Sequence, residues 1–199
     1  VTVKGLAVRE EAADIVIWPI QYTAASNELT ALYETLEQHK RLIEAYLIEA
    51  GIEDSAISVA APAIVDKKAQ QYAGAQSVPF RYSATQVVTV YSGAIDRVRN
   101  IIESLADLGK QGIVFSGSTY ENKTEYLFTR LNEIKPSMLE ESTKHARSAA
   151  EKFALDSASR LGKIKQATQG QFSIAPRDKN NPHIKRVRVV STIEYYLTD

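Results

Sequence analysis

One stretch limits the folds open to this chain more than any other. Residues 136–161 read PSMLEESTKHARSAAEKFALDSASRL. Met138, Leu139, Ala146, Ala149, Ala150, Phe153, Ala154, Ala158 and Leu161 fall near one face at helical spacing. Much of that face is alanine, so the helix can lie close against whatever it covers. Ser137 and Glu140 have capping-box spacing, Pro136 is an equally good first helical residue, and Gly162 marks the stop. The runs that follow, GKIKQATQGQFSI and IKRVRVVSTIEYYL, read as a two-stranded ribbon for that helix to cover. In the last of them Val187, Val189, Ile193, Tyr195 and Leu197 share a face.

The rest of the chain alternates strand pairs with helices. VTVKGLAVR at 1–9 puts Val1, Val3 and Ala7 on one face, with Gly5 as a candidate bulge. ADIVIWPIQY at 13–22 is apolar on both faces, with Ile15 and Ile17 on one and Val16, Trp18 and Ile20 on the other. Pro19 marks an edge or a bulge, because it cannot donate a ladder bond. These two runs read as an antiparallel pair. Leu29, Leu32, Tyr33, Leu36, Ile43 and Leu47 predict a helix over 28–50, with Ser26 or Asn27 at its start and Gly51 at its end. Strands are predicted at 56–66, interrupted by Pro62, and at 80–91. A second helix is predicted over 92–108, then strands at 113–120 and 124–131 across a turn at 121–123. The expected fold class is α+β: an antiparallel sheet of paired strands with three main helices layered against it, in the order ββα-ββα-ββα-ββ. The whole of 1–199 is expected to form one domain, the alternative being two lobes with a boundary near 67–79, a polar and weakly patterned stretch.

Composition removes several functions. Lys and Arg balance Asp and Glu at 24 each, where a general polyanion binder carries a basic excess. With no cysteine, the chain has no disulfide, no thiolate nucleophile and no sulfur-ligated metal. No apolar run approaches the roughly 18 residues that span a bilayer. The chain opens at Val1 directly in a strand-like pattern and without an initiator Met, which reads as a trimmed or mature form; a removed signal peptide or membrane anchor would leave no trace in these residues.

Motifs for chemistry are sparse. His39 and His145 lie in predicted helices with no second histidine at i+3 or i+4, and His183 lies in a loop, so no metal site is expected. Neither usual spacing of a phosphate-binding glycine loop occurs; FSGS at 115–118 has a single glycine after a strand and reads as a bulge. The neighbouring carboxylates Glu10-Glu11 and Glu140-Glu141 diverge rather than face a shared substrate. The most basic stretch, 177–188, holds Arg177, Lys179, Lys185, Arg186 and Arg188 against Asp178. It is either a contact for an anionic polymer or a soluble hairpin tip with edge-protecting charge. Trp18 and the paired Tyr195 and Tyr196 put large rings on opposite strand faces, which a helix of this chain or a neighbouring subunit must cover. No catalytic, cofactor-binding or metal-ligating residue is nominated, and no cofactor, nucleic acid or small-molecule substrate is expected.

Several stretches together resemble the SIMPL-domain family. VTVKGLAVRE with ADIVIWPI is similar to its N-terminal strand pair, and ARSAAEKFALDSASRLGKIKQA to its alanine-rich helix, Leu-Gly stop and following strand. QGQFSI and VRVVSTIEYYL are similar to its closing ribbon, while TEYLFTRLNEIKPSM is longer than in the simplest members. The resemblance implies an α+β fold with no assigned enzyme activity and no motif of catalytic residues. It implies a periplasmic or cell-surface location, as an exported or membrane-tethered protein. Members include immunogenic antigens, and some form large ring-like or channel-like assemblies. Some bacterial members are linked to oxidative-stress defence, and an animal namesake to kinase signalling. Any protective role here would be indirect, since the one methionine, Met138, is expected in a helix-packing face and no thiolate exists. The expectation is a non-enzymatic, exported or membrane-tethered homo-oligomer, with Trp18 and the outer strand faces as candidate contacts. The alternative is a binding module for an anionic envelope polymer or partner protein through the 177–188 hairpin. A third reading, a hydrolase with a dispersed site, needs a deep pocket pairing a Ser or carboxylate with a histidine.

Overall fold

A computed structural model describes residues 1–69, 79–116 and 122–199. The fold is α+β with antiparallel sheets, and the chain divides into two compact units. A terminal unit comprises 1–14 and 127–199, and a central unit comprises 15–126. The stretch 67–79 falls within the central unit, and its residues 70–78 lie outside those described.

The terminal unit holds β1 (Thr2–Ala12), α4 (Leu131–Asp156), β8 (Arg160–Gln169), β9 (Ser173–Pro176) and β10 (Ile184–Thr198). β10 is the middle strand: β1 runs along one side of it, and β8 and β9 lie end to end along the other. The alternation expected of β10 holds, with Val187, Val189, Ile193 and Tyr195 buried; Leu197, near the end of the strand and paired with Leu161, is exposed.

The central unit holds β2 (Ile15–Ser26), α1 (Leu29–Glu49), β3 (Ile57–Val59), β4 (Ala63–Asp66), β5 (Tyr82–Ser92), α2 (Ile95–Ser104), α3 (Ala106–Gly109), β6 (Val114–Phe115) and β7 (Glu125–Leu127). β2 and β5 form the long central ladder; β3 and β4 add along β5, and β6 and β7 along β2. One core joins Val16, Trp18, Ile20 and Tyr22 of β2 to Leu32, Leu36, Ile43 and Leu47 of α1 and to Val98 and Ile101 of α2. Pro62 splits the predicted 56–66 strand into β3 and β4, each short enough to avoid the missing donor.

Four local expectations are corrected. β1 and β2 do not pair; they belong to different sheets, and the chain turns between them at Asp14, whose N–H donates to the Leu127 carbonyl at 2.8 Å. Pro19 sits in a central strand without a bulge. Ser116 donates to the Gln21 carbonyl, so odd-numbered residues of β2 turn their backbone groups away from β5, and Pro19 costs that ladder no bond. Of the strand predicted at 113–120, Val114 and Phe115 form β6 and residues 117–120 lie outside those described, while the strand predicted at 124–131 shrinks to β7; both pair with β2. The long helix starts five residues before Pro136 and ends five before Leu161. Its stop is Ala158, at φ 55°, with Ser159 N–H on the Ala154 carbonyl and Ala158 N–H on Leu155, the hydrogen bonds of a Schellman turn. Gly162 serves a different purpose: it lies in β8, where a Cβ would meet the Tyr196 carbonyl at 3.0 Å.

The alanine face behaves as its chemistry requires. Met138, Ser142, Ala146, Ala150 and Ala154 are buried, while Phe153, at the helix flank, is 57% exposed. Gly5 is where the helix comes closest. The β1–β10 register runs through it without a bulge, and a Cβ there would stand 1.7 Å from the Ser142 carbonyl oxygen. Across the ladder Gly5 faces Ser191, whose hydroxyl meets that of Ser142 at 2.6 Å in the buried interface.

Candidate functional site

α4 covers only one face of the terminal sheet. On the other face strand alternation places Lys4, Leu6, Val8 and Glu10 of β1 beside Thr192, Val190, Arg188 and Arg186 of β10. Leu6 is 43% exposed and Val8 40%. An apolar centre is thus rimmed by charge. Arg186 and Arg188 are exposed and form no ion pair among the described residues. Glu10 faces Arg186 across the ladder but lies 3.6 Å from Arg177. The edge of β1 is partly occupied. The Val190 carbonyl accepts from Gly170, so its partner Leu6 turns its own carbonyl outward, and there His145 Nδ1 donates at 2.7 Å.

The basic stretch does not form one patch at a hairpin tip. Arg177 is engaged by Asp178 and Glu10, and Lys185 is buried with a partner. The Arg177 guanidinium and the Asn181 amide hold the Asp178 carboxyl down to about 2. Lys179 remains near the tip, while Arg186 and Arg188 belong to the helix-free sheet face.

Other sequence candidates are dispersed. Trp18 is 4% exposed and packed in the central core, so its own chain covers it; the other face of its sheet carries Ile17 and Pro19 with their β5 partners Tyr91 and Thr89. Tyr195 is buried and Tyr196 exposed, as opposite faces require. Met138 is fully buried against Ala7, Phe128, Val187 and Val189. Glu10 and Glu11 face opposite sides of β1, Glu140 pairs with Lys144, and Glu141 pairs with Arg9. Of FSGS, Phe115 ends β6 and Ser116 follows it; Gly117 and Ser118 lie outside the described residues. No three His, Asp or Glu side chains among the described residues come together as a metal site, and no described helix is long and apolar enough to cross a membrane.

Two polar arrangements were not read from the sequence. In the central core Tyr22 donates to Gln86 at 2.5 Å, and Gln86 donates to the Ala60 carbonyl at 2.9 Å. Burial, and then the charges of Glu44 and Glu37, push the Tyr22 phenol up to about 12, so it stays a donor. His39 meets the Tyr22 ring edge-on at 6.2 Å, and its Nδ1 is buried without a hydrogen-bond partner among the described residues. Burial lowers the His39 pKa. At the surface, Arg9, Ser137, Glu141 and His145 line a shallow depression of about 280 Å³. Arg9 donates to Ser137 Oγ at 2.8 Å and pairs with Glu141 at 3.3 Å. The Ser137 hydroxyl in turn donates to the Ile134 carbonyl, so its proton is committed to helix backbone and this is no nucleophile–base pair.

No curated protein matches the chain. The model of a family named SIMPL, described as proteins of unknown function (DUF541), matches residues 1–191, which takes in all of the central unit and most of the terminal one. On that match, the chain belongs to the SIMPL family.

Proposed function

We propose that the protein is a non-enzymatic, exported or membrane-tethered assembly protein that acts through association with further copies of itself, and that any part in envelope or oxidative-stress defence is indirect. The observation that carries this reading is the helix-free face of the terminal sheet, where Leu6 and Val8 stand exposed at the centre of a ladder. Apolar groups in the middle of a sheet face are normally covered, and exposed apolar patches mark interaction sites. The exported location rests on the family resemblance. Binding of an anionic polymer by the 177–188 hairpin is the weaker reading, because Arg177 and Lys185 are already engaged. Light scattering of the purified chain over a wide concentration range tests the assembly reading: mass rising with concentration supports it, and a constant monomer mass refutes it.

A further inference from the structure

β1 lies at an edge of the terminal sheet, with β10 on one side and no strand on the other among the described residues. Val1 and Tyr195 exchange both backbone hydrogen bonds, at 2.7 and 2.8 Å. At the far end of the same ladder the Ala13 N–H donates to the His183 carbonyl at 2.8 Å. Bonded pairs recur at every second residue of an antiparallel ladder, so the odd-numbered residues of β1 bond to β10. Lys4, Leu6, Val8 and Glu10 therefore turn their N–H and C=O groups away from the sheet. Of these groups the Leu6 carbonyl alone has a partner among the described residues, His145 Nδ1 at 2.7 Å. A carbonyl accepts two hydrogen bonds, so this contact leaves the edge open. Sheet edges are ordinarily blunted by a bulge, a proline or charge. β1 has neither bulge nor proline, and on the helix-free face its charged residues Lys4 and Glu10 flank an exposed aliphatic middle at Leu6 and Val8. The edge also has a wall. Glu141, His145, Ala149 and Phe153 recur at four residues and form one row along α4. The Arg9–Glu141 pair and the His145–Leu6 bond set that row beside the free edge, and Phe153 at its end is exposed.

We infer that β1 accepts an added strand: an extended segment of a partner protein that pairs with the free backbone of Lys4 to Glu10 and is aliphatic on both its faces. Alternating donors and acceptors at strand spacing are matched by extended polypeptide, and main-chain bonds of this kind supply the affinity in strand addition. Side chains of the added strand alternate. One set lies beside Leu6 and Val8, the other toward Ala149 and Phe153, and both surroundings are apolar. The inference goes beyond the assembly reading: it uses the edge of the sheet instead of its face, and a partner other than this chain.

The probe is a phage-displayed library of random peptides about ten residues long, enough to span Lys4 to Glu10, selected on the full chain. The selected peptide is then synthesised and its affinity measured by titration calorimetry. N-methylation at every second residue is expected to weaken binding about ten-fold or more, and methylation at the residues between to leave it unchanged, the period of a ladder. Val8→Pro removes one outward N–H and keeps the bonds of β1 to β10, as Pro19 does in β2; it is expected to lose binding with its thermal melt kept. Phe153→Ala, at an exposed site, is expected to weaken binding as well. In hydrogen exchange the amides of Lys4, Val8 and Glu10 exchange fast in the free chain and slow when the peptide binds, while those of Val3, Ala7 and Arg9 are slow in both. Slow exchange at Lys4, Val8 and Glu10 in the free chain overturns the inference, since the edge is then already covered. So does a library that yields no peptide, or a methylation profile without the two-residue period. Self-association abolished by Val8→Pro, with no peptide bound, gives the edge to a second copy, which overturns the inference and leaves the assembly reading standing. A chain that stays monomeric at every concentration and binds the peptide with these signatures supports the inference and refutes the assembly reading.

Discussion

Replacing Gly5 by alanine tests the packing argument on which the terminal unit rests. An alanine Cβ at this position would lie 1.7 Å from the Ser142 carbonyl oxygen and 2.5 Å from the Ala146 nitrogen, both backbone atoms of α4. Neither can rotate aside. Reaching even 3.0 Å requires strand and helix to separate by about 1.3 Å. That gap breaks the 2.6 Å hydrogen bond between Ser142 and Ser191; Ser142 keeps the Leu139 carbonyl at 3.0 Å, while the buried Ser191 hydroxyl loses its partner. The loss costs about 1–3 kcal/mol. Overpacking and the weakened contacts of Ala146 and Ala150 add about 1–3 kcal/mol. Urea unfolding followed by far-UV circular dichroism is expected to show a loss of about 3–5 kcal/mol, which corresponds to roughly 10 °C in Tm for a chain of this length. Gly109→Ala is the control, because a Cβ there meets nothing within 4 Å and the residue lies in helix. It should be neutral or stabilising by about 0.5 kcal/mol. A Gly5→Ala protein within about 1 kcal/mol of the parent refutes the claim of close approach.

Ala158→Gly should stabilise the chain by about 1 kcal/mol in the same assay, since an alanine at φ 55° bears the left-handed strain that glycine avoids. Burial depresses the His39 pKa from its ordinary 6.5, so folding disfavours the imidazolium. Stability is therefore retained above the ordinary histidine pKa and falls as pH drops through it; His39→Gln should flatten that part of the urea-midpoint profile. Burial works to raise the Asp14 pKa, but hydrogen bonds from the Thr129 backbone and hydroxyl and from Arg130 outweigh it and leave it lowered. Its contribution is present above the ordinary carboxylate range and is lost toward acid. Asp14→Asn should cost about 1–2 kcal/mol at neutral pH and much less at acid pH, as urea titrations at the two pH values will show.

The candidate surface was only partly legible from residue order. The basic stretch 177–188 was visible as composition, but its division was not. Strand alternation sends Arg186 and Arg188 to one face and Lys185 to the other, while Arg177 folds back onto Asp178. Trp18 was visible as an apolar group on a two-faced strand. Only the packing of α1 and α2 against β2 shows that its own chain covers it. The net charge of each unit, +4 for the terminal unit and −4 for the central one, was hidden because the terminal unit is assembled from both ends of the chain. Counting along the sequence averages the two signs away.

Local periodicity was enough to place α1, β5 and β10, to place α4 within five residues at each end, and to show that the class is α+β, because helical and strand spacing write themselves into neighbouring residues. It did not determine which strand pairs with which. Backbone ladders are chemically alike, and β1 finds its partner in β10, at the opposite end of the chain, rather than in β2 beside it. The need for glycine at position 5 and the helix stop at Ala158 likewise came from the tertiary structure. Each depends on a close approach or a turn geometry that spacing along the chain does not encode.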